Sequence, residues 1–202
     1  MVIKMIKNII FDVGDVLLGY RWKEMLLEHG IQEERAEVMG QAVFNHPLWK
    51  ELDLGNVTME EFMATIGEEL PEYKEDLIWF LNHTELMPVM RPKVWEKIPI
   101  LKERGYKIYI LSNYSKDLFK THTKDTDFLH LVDGKVVSYE IHKIKPDKAI
   151  YEYLLQKYQL NATDCIFFDD RKENVEGAIN LGIKGIQVIS EEQLISELEK
   201  IC

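Results

Sequence analysis

The chain has 202 residues, 46% of them hydrophobic and 30% charged, and a net charge of −10. That composition supports a real core and excludes a disordered chain. An acidic balance with no basic stripe excludes a nucleic-acid binder, and no segment reaches the roughly 20 apolar residues that a membrane span needs.

The two cysteines, Cys165 and Cys202, leave no disulfide framework to read. Met1 to Ile10 is broken by Lys4 and Lys7 and lacks a small-residue cleavage site, so it does not read as a signal peptide. A cytoplasmic protein in a reducing compartment is the expectation.

In chain order, the first apolar run is Asn8–Phe11, read as a buried strand. It delivers Asp12, followed by Val13-Gly14-Asp15-Val16. A carboxylate at a strand's end, with glycine nearby, projects into the crevice where α/β folds bind ligands. Taken alone, Asp12 reads equally well as the cap of a turn. From about Leu17 to Met87 the periodicity is helical, as in Trp22, Met25, Leu26 and His29, or Phe62, Ile66 and Leu70, and no strand-like run appears. The stretch reads as an all-helical insert placed over the strand ends.

The alternation then resumes. Val94, Ile98 and Leu101 share a helical face that ends at Gly105, with Pro99 expected to kink or interrupt it. The strand Lys107–Leu111 runs into Ser112-Asn113, whose hydroxyl and amides suit phosphate oxygens. Val136–Glu140 reads as a short extended piece. Lys145-Pro146-Asp147 precedes a helix marked by Ile150, Tyr153, Leu154 and Tyr158. Lys145, with Lys143 as a rival, suits neutralising a phosphate. The strand Cys165–Phe168 delivers Asp169-Asp170, with Asn174 beyond. Adjacent carboxylates near a core repel, and a hard cation such as Mg²⁺ offsets that repulsion. A helix with Val175, Ala178 and Ile179 stops at Gly182 before a last strand, Gly185–Ile189. The fold class is α/β: a doubly wound, Rossmann-like parallel sheet core over residues 1–16 and 88–202, with a helical insert over 17–87.

Four pieces in this order resemble the haloacid dehalogenase-like superfamily. Phe11-Asp12-x-Gly14-x-Val16 is similar to its first motif and Leu111-Ser112-Asn113 to its second. Lys145-Pro146-Asp147 is similar to the third, and Phe168-Asp169-Asp170-x-x-x-Asn174 to the fourth. The insert resembles the family's helical cap. The Gly14 variant and the Asp-Asp-x-x-x-Asn form look most like small sugar-phosphate phosphatases of the glucose-1-phosphate type and the phosphatase domain of soluble epoxide hydrolases. The resemblance implies Mg²⁺ as cofactor and a small phosphorylated metabolite as partner. It makes Asp12 a nucleophile that forms an aspartyl-phosphate. It gives the metal Asp12, the Gly14 carbonyl and Asp170, with Asp169 and Asn174 assisting. Ser112 and the Asn113 amide hold phosphoryl oxygens, and Lys145 balances charge.

One position departs from the pattern. Family phosphatases carry a second Asp two residues after the nucleophile, to protonate the leaving group. Here that residue is Gly14. Asp15 is one residue late and, along an extended segment, points the opposite way, although a turn would redirect it. Three readings follow: a leaving group that needs little protonation, such as that of a sugar 1-phosphate; an acid recruited from the cap; or a weak catalyst that binds a phosphorylated ligand or acts as a regulator. The first predicts that glycosyl phosphates are cleaved faster than primary alkyl phosphates. Dehalogenase, mutase and phosphonatase chemistries fit less well, even with Lys23 and Lys50 present in the insert. Tyr20, Arg21, Trp22, His46 and Trp49 are candidates to face the site, although packing explains each. His29, His83, His122, His130 and His142 show no metal-ligand spacing.

Overall fold

The computed structural model describes residues 6–201, so part of Met1–Ile10, and Cys202, lie outside the described residues. The strands are β1 (Asn8–Phe11), β2 (Leu18–Tyr20), β3 (Pro88–Met90), β4 (Lys107–Ser112), β5 (Gly134–Val137), β6 (Cys165–Asp169) and β7 (Lys184–Gln187). Five of them form a parallel sheet in the order β5-β4-β1-β6-β7. β1 is central because every one of its residues is apolar or buried, as a strand covered on both faces must be.

Period-two alternation splits the sheet residues between two layers. Ile9, Phe11, Ile108, Ile110 and Phe168 pack on Val94, Ile98, Leu101, Leu194 and Leu198. On the other face Ile10, Leu111 and Phe167 pack on Ile150, Tyr151, Leu154 and Ala178. Helices on both faces of a parallel sheet make the doubly wound α/β fold. The register sets Phe11 opposite Ile110 and Phe168. Asp12, Ser112 and Asp169 therefore emerge side by side at the C-terminal edge, the usual ligand side of such sheets.

The helices between Trp22 and Asn82 pack around their own buried cluster, which includes Met25, Leu26, Met39, Phe62, Ile66 and Phe80. The chain enters and leaves them through a two-stranded antiparallel ribbon in which Leu18 pairs with Met90 and Tyr20 with Pro88. The periodicity of 17–87 hides β2, because three residues are too few to show a strand pattern.

Other differences are local. Pro99 does not break its helix. It lies in the first turn of Lys97–Glu103, where an intrahelical N–H partner is not needed, and the interruption falls at Glu96 instead. Val136–Glu140 is extended only as far as Val137, and Ser138–Ile141 is a helical turn. The last strand begins one residue earlier than read and ends at Gln187, leaving Ile189 77% exposed. Ile179 is also exposed, and Tyr151 takes the buried place instead of Tyr153. Gly105 and Gly182 stop their helices at φ +92° and +83°, a region that glycine enters without strain.

Candidate active site

A cavity of about 870 Å³ separates the strand ends from the helical insert. Asp12, Asn113, Lys145, Asp170 and Asn174 line it from the sheet side; Trp22, Phe44, His46, Trp49, Lys50 and Asp53 line it from the insert. The floor is polar and charged while the opposite wall is largely aromatic.

Asp12 is 7% exposed. Its Oδ1 accepts the Val13 N–H at 2.7 Å and the Ser112 hydroxyl at 2.6 Å. Its Oδ2 lies 2.9 Å from Lys145 Nζ. These contacts fix one rotamer of the carboxylate. Burial pushes the Asp12 carboxyl up, against the pull of Lys145.

Lys145 is the lysine of the site. Its buried ammonium bridges Asp12 and Asp169, reaching Asp169 Oδ2 at 2.6 Å. The two carboxylates hold the Lys145 ammonium above its ordinary range, although burial alone would lower it. Lys143 instead lies over the Tyr153 ring at 5.6 Å. The Asn113 side chain clamps the Lys145 backbone from both sides, donating to its carbonyl at 2.9 Å and accepting its N–H at 2.8 Å. That side chain is committed to placing the lysine.

Asp169 and Asp170 have different environments. Asp169 is fully buried, and its oxygens accept Arg171 N–H at 2.9 Å, Asn174 Nδ2 at 3.0 and 3.2 Å, and Lys145 Nζ at 2.6 Å. Asp170 is partly exposed at the cavity, and among the described residues no side chain donates to its carboxylate. Burial and the neighbouring Asp169 push the Asp170 carboxyl up to about 6. Carboxylate oxygens of Asp12, Asp169 and Asp170 lie within 4.8 Å of one another. Three hard oxygen donors against one ammonium suit a hard divalent cation, and neither His nor Cys contributes to the cluster.

The remaining candidates divide. Tyr20, Trp22, His46 and Trp49 line the cavity. His46 is tied to packing, capping Leu48 N–H at 3.1 Å and meeting Glu69 at 3.1 Å. Arg21 pairs with Glu28, and Lys23 with Glu33 and Glu37. Asp15 adopts φ +50° and faces Arg91 at 3.9 Å. Among the cavity residues that the sequence reading gives no role are Tyr114, Asp53 and, as a buried neighbour of Tyr114, His122. Burial pushes the Asp53 carboxyl up to about 7. The single signal for Tyr114 is its place directly after Ser112-Asn113; nothing local marks the other two.

A parallel α/β sheet with this carboxylate–lysine cluster at its strand ends defines a class of hydrolases that work at the edge of such a sheet. The model of the haloacid dehalogenase-like hydrolase family matches residues 6–182, and the chain belongs to that family. It is similar to a drimenol cyclase of Aspergillus calidoustus, 24% identical over 98% of the chain, which spans only 37% of that longer protein. It is similar to a D-ribitol-5-phosphate phosphatase of Bacteroides thetaiotaomicron, 22% identical over 91% of the chain and 92% of the relative. A family enzyme from the same bacterium, solved with magnesium and inorganic phosphate, shares the fold with a TM-score of 0.73 and 20% identity, over 90% of this chain and 93% of that one. No helix among the described residues is long and apolar enough to cross a membrane.

Proposed function

We propose that the chain is a Mg²⁺-dependent phosphatase that hydrolyses a small phosphomonoester, of the sugar-phosphate kind, through an aspartyl-phosphate on Asp12. The observation that carries this reading is the setting of Asp12. Its carboxylate is buried at a strand end, held in one orientation by Val13 and Ser112, and set between an ammonium and two further carboxylates. A carboxylate that served only to cap a turn would not need that surrounding. The relatives named as phosphatases support the same reading.

Each side chain then has a task. An Asp12 oxygen forms a bond to phosphorus as the ester P–O bond breaks, and water afterwards cleaves the acyl phosphate and returns the carboxylate. Ser112, after turning from Asp12, and the Asn113 amide hold phosphoryl oxygens. Lys145 balances the charge that gathers on them. Asp12, the Gly14 carbonyl and Asp170 would hold the metal, because Asp170 alone of the paired acids has a free carboxylate. Asp169, with every oxygen engaged, positions Lys145 and Asn174 around them. The cation supplies shielding between the attacking anion and the phosphate. Residues 17–87 act as the cap, whose aromatic wall selects the group to be released.

The test is phosphate release from a panel of phosphomonoesters with and without Mg²⁺, for the wild type and Asp12→Asn. Release that depends on Mg²⁺ and vanishes in Asp12→Asn is expected. Release that survives the substitution would refute the covalent route, and no release from any ester would favour a ligand-binding or regulatory role.

A further inference from the structure

Position 14 has no side chain, yet the space beside it is filled. Leu17 and Leu18 both donate to the Val13 carbonyl at 2.9 Å, a tight turn that folds the chain back so that Gly14 bridges to Leu18. Two residues on, Tyr20 lays its ring over Gly14. A Cβ at position 14 would stand 3.1 Å from Tyr20 Cε2 and 3.3 Å from its hydroxyl oxygen. The Tyr20 hydroxyl is hydrogen-bonded to that of Tyr114, which meets His122 Nδ1 at 2.8 Å. All three side chains line the cavity that holds Asp12.

The geometry points to Tyr20 as the catalytic acid, giving its hydroxyl proton to the leaving-group oxygen in the place where position 14 offers nothing. A phenol can give its proton to an alkoxide leaving group, which is a strong base, even though burial pushes the Tyr20 hydroxyl above its ordinary range. This inference rests on the aspartyl-phosphate reading above, and it replaces the view that the leaving group departs without protonation.

The protons balance. As Asp12 bonds to phosphorus and the ester P–O bond breaks, the departing oxygen takes the Tyr20 proton. The phenolate can take a hydrogen bond from the Tyr114 hydroxyl, which in turn meets His122 Nδ1. When water cleaves the acyl phosphate, its proton returns to Tyr20. No outside acid is consumed. Burial lowers the His122 imidazole to about 4, so the ring is neutral and adds no charge to the chain of hydrogen bonds. One rival is otherwise engaged: the Asp15 carboxylate faces Arg91 at 3.9 Å. Asp53 is another carboxyl at the cavity, and the experiment tests it alongside.

The experiment compares leaving groups. The wild type, Tyr20→Phe and Asp53→Asn are each given p-nitrophenyl phosphate, phenyl phosphate and a set of primary alkyl phosphates, with Mg²⁺, and kcat/KM is read. Phenylalanine keeps the ring over Gly14, so the fold is retained. Tyr20→Phe is expected to lose at least about 100-fold on the alkyl esters, less on phenyl phosphate, and nearly nothing on p-nitrophenyl phosphate, whose leaving group needs no proton. A uniform loss across the series, no loss at all, or a selective loss in Asp53→Asn instead would overturn the assignment. So would a wild type that cleaves only p-nitrophenyl phosphate, a result that leaves Asp12 chemistry standing. Release that persists in Asp12→Asn would defeat the covalent reading itself.

Discussion

Lys145→Met removes the one ammonium from a cluster of buried carboxylates while keeping a side chain of similar length. In the wild type Nζ lies 2.9 Å from Asp12 and 2.6 Å from Asp169, with the lysine and Asp169 side chains fully buried and Asp12 nearly so. Each contact carries a Coulomb attraction of about 6 kcal/mol at an effective dielectric near 20. Desolvation of the ions, several kcal/mol each, offsets most of that. The lysine's absence leaves the desolvation of both carboxylates uncompensated, so the expected loss of stability is about 3–5 kcal/mol near neutral pH. In a chain of this length that lowers Tm by about 6–20 °C. The sign with pH follows from the carboxyls. Burial already raises Asp12 to about 8 with the lysine present, and without the lysine's pull it rises further. A carboxyl raised in the folded state costs stability as pH climbs above its unfolded value. The share of the Lys145→Met deficit that Asp12 carries therefore sets in from about pH 8 and grows toward about pH 10. Urea denaturation across that range, together with the double variant Asp12→Asn/Lys145→Met, measures it. The double variant should recover part of the loss, because one of the two stranded charges is gone. A deficit below about 1 kcal/mol at about pH 10, or one that does not change with pH above about pH 8, refutes the argument.

Two further outcomes follow from contacts around the site. Asn174→Ala strips two hydrogen bonds from Asp169, and Mg²⁺ affinity should fall about 10–100-fold by calorimetric titration; unchanged affinity would mean that Asp169 does not steer the metal ligands. Asp53 is raised by burial to about 7, so Asp53→Asn should be more stable than the wild type at about pH 8 and no different at about pH 4. A stability difference that stays flat across that interval in differential scanning would show that burial of the charge is not what raises Asp53.

Much of the core was legible because buried parallel strands are apolar on both faces. Asn8–Phe11 has its bounds in the sequence itself, and Asp12, Ser112, Lys145 and the Asp169-Asp170 pair follow at strand ends and in the Lys145-Pro146 turn, where the fold brings them together. What the sequence left open depends on contacts between distant residues. Asp169 and Asp170 are adjacent and chemically identical, and only the donors around Asp169 distinguish them. Lys143 and Lys145 differ in direction, which the clamp from Asn113 decides. Tyr20, Tyr114 and His122 are spread over about a hundred residues, and their meeting depends on the turn at Val13 and on where the helix Lys116–Thr123 packs. No periodicity encodes that. The ribbon was missed for a related reason: strands of three residues carry no pattern of their own, and they exist because they pair with each other.

That ribbon makes the molecule modular. Tyr20 and Pro88 face one another in register, so the chain leaves and rejoins the sheet side at one place. Neighbouring strands sit about 5 Å apart, a gap that a short turn can bridge. The helical unit has its own buried cluster and meets the sheet side at further points, among them Ser138 Oγ donating to the Asp53 carbonyl and His142 Nδ1 meeting that of Leu54. Exchange of 21–87 for the corresponding unit of a relative would change what the aromatic wall admits. Asp12, Lys145, the paired acids and Tyr20 would all remain on the recipient side of the junction.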